Sequence, residues 1–88
     1  MNILYESSFA RDLKRVKDKQ MLRHVQDVLE QVKAANNLSD IPNLKKLQGF
    51  ESYYRLRLGE YRLGIEVEGQ TVIFVRFLHR KDIYRSFP

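Results

Sequence analysis

The chain has 88 residues, 43% of them hydrophobic and 11% aromatic, with no cysteine and a formal net charge of +5. Such a length means one domain, and such a composition means a folded one, not a disordered tail. The missing cysteines exclude disulfides, thiolate catalysis and cysteine metal sites and fit a reducing, cytoplasmic setting. No apolar run approaches the roughly 20 residues that span a bilayer. The opening residues carry Glu6 and lack a long apolar stretch, which argues against a secretory signal. The positive balance points to nucleic acid, an anionic membrane or an acidic protein as partner, and does not choose among them. A chain this short hides only about 60–65% of its unfolded surface. The expectation is a thin core: a sheet with helices on one side only.

In chain order, Asn2 to Glu6 reads as a first strand. Ser7 or Ser8 can cap a helix in which Phe9, Leu13 and Val16 recur at helical spacing. A break at Lys17-Asp18-Lys19 precedes a second helix, with Leu22, Val25, Val28, Leu29 and Val32 on one stripe and Asn36-Asn37 as its end. The two make a helical hairpin. Leu38 to Gly49 reads as a linker, because Pro42 blocks a regular helix and biases Ile41 toward extended geometry.

Tyr53 to Leu63 is a β-hairpin that turns at Gly59-Glu60. Alternation sets Tyr54, Leu56 and Leu58 on one face and Tyr53, Arg55 and Arg57 on the other. On the return, Tyr61, Leu63, Ile65 and Val67 alternate with Arg62, Gly64, Glu66 and Glu68. A second turn at Glu68-Gly69-Gln70 leads into Thr71 to Leu78, apolar on both faces and therefore central in the sheet. The fold class is α+β, in the order β-α-α-β-β-β: an antiparallel sheet with a helical hairpin packed on one face, one domain over residues 1–88. If Ile73, Val75 and Phe77 face the helices, Arg76, Leu78 and Arg80 join Arg55, Arg57 and Arg62 on the open face. Arginines on a rigid sheet suit a phosphate backbone, since each guanidinium is a permanently charged, planar fork of donors. RNA carries its own nucleophile, the 2′-hydroxyl, so a protein that orients it and neutralises developing charge needs no metal. No metal ligand set is apparent: His24 and His79 are isolated, and no carboxylates have ligand spacing. No cofactor is implied.

The segments Tyr53 to Arg62 (YYRLRLGEYR) and His79 to Arg85 (HRKDIYR), with Lys46-Leu47-Gln48-Gly49 before them, resemble the RelE branch of the RelE/ParE toxin family. The likeness covers essentially the whole chain. It implies a small toxin of a type II toxin-antitoxin system that cleaves mRNA in the ribosomal A site and is neutralised by a cognate antitoxin. It further implies that Arg55 and Arg57 stand where such toxins often have substrate-contacting lysines. Arg62 would hold the scissile phosphate, Arg80 would stabilise the transition state and protonate the leaving oxygen, and Tyr84 would stack on a codon base. Arginine, with a pKa above about 12, is a poor proton acceptor, so Arg55 and Arg57 would act through charge and the general base is left open. Histidine is the one side-chain type nearby whose ordinary pKa lies near 7; His79 is a candidate acid or base, or else a ring packed at the strand end. The alternatives are a ParE-like toxin that binds gyrase without nuclease chemistry, and a non-catalytic RNA-binding module.

Overall fold

The computed structural model describes all 88 residues. The elements are β1 (Asn2–Tyr5), α1 (Ser7–Arg15), α2 (Lys19–Ala34), a 3-10 turn (Leu38–Asp40), β2 (Leu44–Lys46), β3 (Tyr53–Leu58), β4 (Tyr61–Glu68), β5 (Thr71–His79) and α3 (Arg80–Ser86). They build one five-stranded sheet in the order β1-β5-β4-β3-β2. The expected β-α-α-β-β-β order stands, with two additions and one change of direction. The linker contains the short edge strand β2, paired with β3 through Leu44 opposite Leu56 and Lys45 opposite Arg55. The tail is a helix. β1 lies parallel to β5, so the sheet is mixed, not wholly antiparallel.

Helices α1 and α2 bury their apolar stripes on one face. The core there is Phe9, Val25, Val28 and Val32 against Leu56, Leu63, Ile65, Val72, Phe74 and Phe77. The alternation expected in β5 is overturned: Val72 and Phe74, not Ile73 and Val75, face the helices together with Phe77. The cause is a β-bulge. Gly64 opposes Arg76 while Ile65 opposes Phe74, so Val75 is an extra residue and the pleat resets across it. Val75 and Leu78 pack instead on the other face, which is also covered in part, contrary to the expectation of helices on one side only. There Leu47, Ile83 and Phe87 form a second small core with Tyr53. Gly64 is required for it: a Cβ at that position would stand 2.7 Å from the Phe87 ring.

The bulge is held by α1. The paired part of β1 ends opposite Phe74, so the outer edge of β5 beyond it has no strand neighbour. Side chains of α1 take its place. The Ser8 hydroxyl donates to the Val75 carbonyl at 2.6 Å, which is why Glu6, without a side-chain cap bond, starts this helix in place of a serine cap. The buried Asp12 carboxylate accepts from the Phe77 N–H at 2.9 Å and from Arg76 Nε at 2.8 Å and Nη2 at 3.2 Å. Arg76 was expected on the open face; this pairing takes it to α1. The hydrogen bond that Arg76 donates to Asp12 raises it above the ordinary arginine value. In contrast to α1, α2 has a side-chain cap: Asp18 accepts from the Gln20 and Met21 N–H groups.

The Arg76 side chain stays 26% exposed, so losing Asp12 costs mainly the acceptor of the buried Phe77 N–H, about 1–3 kcal/mol. Asp12→Ala should therefore destabilise the fold by about that amount in urea denaturation. Asp12→Ala with Arg76→Ala should recover part of the loss, because no charge is then left without its partner.

Candidate functional site

The open part of the sheet lies between β2 and α3. Cross-strand pairing puts Lys45 beside Arg55 and Arg57 beside Arg62, so these four cations project from neighbouring strands on one face. With Asn43, Leu44 and Tyr84 they line a cleft of about 570 Å³. None of its lining residues is acidic, and none of its four cations is in an ion pair.

Each side chain is held differently. Arg62 donates from Nη1 to the carbonyls of Gly59 at 2.9 Å and Tyr61 at 2.8 Å, which fixes it at the hairpin tip. Arg57 is anchored by Asn43: its N–H donates to the Asn43 carbonyl at 3.1 Å, and its Nη2 donates to Asn43 Oδ1 at 3.2 Å. Asn43 has φ of 63°, a left-handed conformation that asparagine tolerates better than most residues. The Arg55 guanidinium lies 4.5 Å from the centroid of the Tyr84 ring, a cation–π distance. Tyr84 is 62% exposed, so only one face of its ring is used by Arg55. The Nε of Arg55 is buried there without a hydrogen-bond partner.

Four of the residues singled out in the sequence thus meet in one cleft: Arg55, Arg57, Arg62 and Tyr84. Arg80 and His79 do not line it. Arg80 opens α3 and pairs through Nε with Glu60 at 2.6 Å, both side chains being more than half exposed. Its backbone N–H also donates to the Glu60 carbonyl at 2.8 Å, which ties the start of α3 to the β3–β4 turn. His79 caps α3, its Nδ1 accepting from the Lys81 N–H at 3.1 Å. Its ring meets Tyr61 edge-on at 5.8 Å and lines a separate cleft with Asp12, Arg15 and Asp82. Tyr61 itself stacks on Phe77 at 4.8 Å, and Tyr53 packs between Phe50 and Phe87.

Three members of the cleft, Asn43, Leu44 and Lys45, lie in the stretch whose sequence reads as a linker. Alternation opposite Arg55 finds Lys45 only once β2 is recognised as a strand. Asn43 carried a weak signal, an asparagine directly after Pro42. No three side chains of His, Asp or Glu come together in a way that could hold a metal ion, and no helix is long and apolar enough to cross a membrane.

The arrangement offers planar donors and positive charge to an extended anion, with an aromatic face beside them. Comparison with known proteins bears on its meaning. Residues 3–84 match the family described as the ParE toxin of type II toxin-antitoxin system, parDE. The chain is 43% identical to Toxin RelE3 of Methanocaldococcus jannaschii over 89 positions that cover all of both sequences. Among solved structures it is similar to a chain of the RelB-RelE antitoxin-toxin complex from Methanococcus jannaschii, with a TM-score of 0.82 and 41% identity over 97% of this chain and 99% of that one. It also shares its fold with the YoeB dimer from Staphylococcus aureus, with a TM-score of 0.72 and 23% identity over 91% and 97% of the two chains. The β-hairpin, the arginine-bearing sheet and the full-length match to a RelE toxin agree, and the chain belongs to the RelE/ParE superfamily of toxins from type II toxin-antitoxin systems.

Proposed function

We propose that this chain is a ribosome-dependent endoribonuclease that cuts mRNA in the A site. The observation that carries the reading is the convergence of Lys45, Arg55, Arg57 and Arg62 with Tyr84 in a cleft free of carboxylates. A phosphodiester in that cleft meets four positive groups held by strands, where reorganisation is small and electrostatic stabilisation is most effective. The 2′-hydroxyl gives up its proton as its oxygen attacks the adjacent phosphorus, the P–O5′ bond breaks, the departing 5′-oxygen takes up a proton, and the products are a 2′,3′-cyclic phosphate and a 5′-hydroxyl. No metal enters this route. Arg62 holds the scissile phosphate from the hairpin tip. Arg55 and Arg57 neutralise the charge that builds on its oxygens. A codon base stacks on the outer face of Tyr84. Arg80 exchanges its exposed pair with Glu60 for the leaving oxygen. Guanidinium groups are poor proton acceptors, so the arginines of the cleft act through charge. His79, occupied in capping α3, takes no part in this scheme.

The partners are the ribosome with its A-site message and a cognate antitoxin, which places the protein in the cytoplasm. The similarity to a chain of an antitoxin-toxin complex supports the second partner. An antitoxin segment carrying Asp and Glu would relieve the repulsion among the four cations by covering them. The description of the matching family as ParE keeps a gyrase-binding toxin as the second reading.

One experiment separates the readings. The protein added to programmed ribosomes should cleave the message within the A-site codon and leave gyrase supercoiling unaffected. Blocked gyrase without cleavage selects the ParE-like reading; RNA retention with neither effect selects a binding module. Arg62→Gln should slow cleavage by about 100-fold or more, the usual loss when one transition-state donor is removed. Tyr84→Phe should keep base stacking and Tyr84→Ala should lose it, which tells the ring from its hydroxyl. Binding of a single-stranded RNA should weaken with salt at a log–log slope of about −3, four contacts at about 0.7 each, and each arginine-to-glutamine change should reduce that slope by about 0.7.

A further inference from the structure

A second cleft, of about 300 Å³, opens at the edge of the sheet and shares Asn43 and Arg57 with the first. One wall is α2, which contributes His24, Asp27 and Gln31; the buried Val28 and Leu56 form an apolar floor. Its size is at the small end of the range for ligand pockets, about 300–1,000 Å³. That suits one planar heterocycle and is too little for a helix or strand of a partner. Asp27 faces the cleft without an ion pair. Arg57 lies on the same cleft, but its guanidinium is held by Asn43 Oδ1. A carboxylate left free beside a cleft that attracts phosphates is unfavourable for backbone binding. It is useful for reading a base, because it accepts hydrogen bonds and donates none.

We propose that this edge cleft is a nucleobase subsite, in which Asp27 selects a base carrying an exocyclic amino group and disfavours uracil. The inference rests on the ribonuclease reading and deepens it, because the base would belong to the strand whose phosphate is held by Arg57 and Arg62. The left-handed Asn43 forms the corner between the two clefts, so a strand leaving the arginine cleft passes it to reach α2. Adenine, cytosine and guanine each offer an amino group to a carboxylate, whereas uracil presents two carbonyl oxygens and a single ring N–H. Gln31 can donate or accept beside Asp27, and the apolar floor takes the face of the ring.

Two measurements test this. In the first, ribosomes carry messages in which each A-site codon position is changed in turn to each of the four bases. At one position the native protein should cleave the uracil message about tenfold more slowly than the best of the others, the size of one good base-edge contact. Asp27→Asn, whose amide can donate to a carbonyl, should bring that ratio close to one. Glu68→Gln, which removes an exposed carboxylate at the distant β4–β5 turn, should leave the ratio unchanged. A ratio that Asp27→Asn and Gln31→Ala both leave as in the native protein overturns the proposal. The second measurement is independent of cleavage. Amide resonances are followed while AMP, CMP, GMP or UMP is added to the intact protein. The first three should shift His24, Asp27 and Gln31 as well as Arg57, whereas UMP should shift the arginine cleft alone. Shifts confined to the arginine cleft for all four nucleotides overturn the base site. Absent cleavage with these α2 shifts preserved overturns the nuclease reading and upholds the base site.

Discussion

The hydrogen bonds from α1 to the free edge of β5 are the constraint on which the rest of the structure depends. β1 covers only half of that edge, and a bulge at Val75 interrupts the other half. An unpaired strand edge beside a buried core would leave polar backbone groups unsatisfied, which is costly. Ser8 and Asp12 supply the missing partners and Arg76 neutralises the buried carboxylate. Once the bulge is held, Phe77 turns to the helices and Leu78 turns away. The end of β5 and the start of α3 are aimed by the same step.

That aim decides what the far face of the sheet becomes. Phe87 buries itself over Gly64, and Ile83 joins it in the cluster with Leu47 and Val75. Half of the face becomes a small core, and the remaining half stays open between β2 and α3. Tyr84, one position beyond Ile83, consequently stands over Arg55 at the boundary. The cleft is therefore bounded by a hydrophobic contact on one side and by an edge strand carrying Lys45 on the other. Its cations repel one another, but Lys45 and Arg57 are exposed and Arg55 and Arg62 half-buried, so water screens most of that repulsion. The fold tolerates them at small cost in the free protein.

Rigid backbone is the common thread of the site. Arg55, Arg57 and Arg62 come from paired strands, and the arginines at the hairpin end are tied back to main-chain or asparagine oxygens. Donors fixed before the ligand arrives spend little energy on rearrangement, which is the physical advantage of such a platform over flexible lysines on a loop. Arg80, outside the cleft, is held otherwise: its exposed pair with Glu60 is the kind of contact worth little on its own and easily exchanged. A shared fold does not dictate a shared chemistry; the carboxylate-free lining of the cleft is what favours an extended anion as its occupant.

Local patterning was enough for much of this. The period of Val25, Val28 and Val32 determined α2, the alternation through Tyr53 to Val67 determined the hairpin and its arginine face, and Asp18 and Gly59 marked where the chain must turn. These are properties of a residue and its near neighbours, and they do not need the rest of the molecule. Other features needed contacts far apart in the chain. Three residues of β2 are too few to show a period, and only β3 makes them a strand. A bulge is invisible until two strands are in register, so Arg76 looked like a member of the open face until Asp12, 64 positions earlier, claimed it. Arg80 and His79 were separated from the cleft by one helix cap whose direction follows from how β5 ends. Sequence by itself determined which residues could carry charge on a sheet; the tertiary structure decided which of them share one cleft, because register, bulge and cap are settled only by partners distant along the chain.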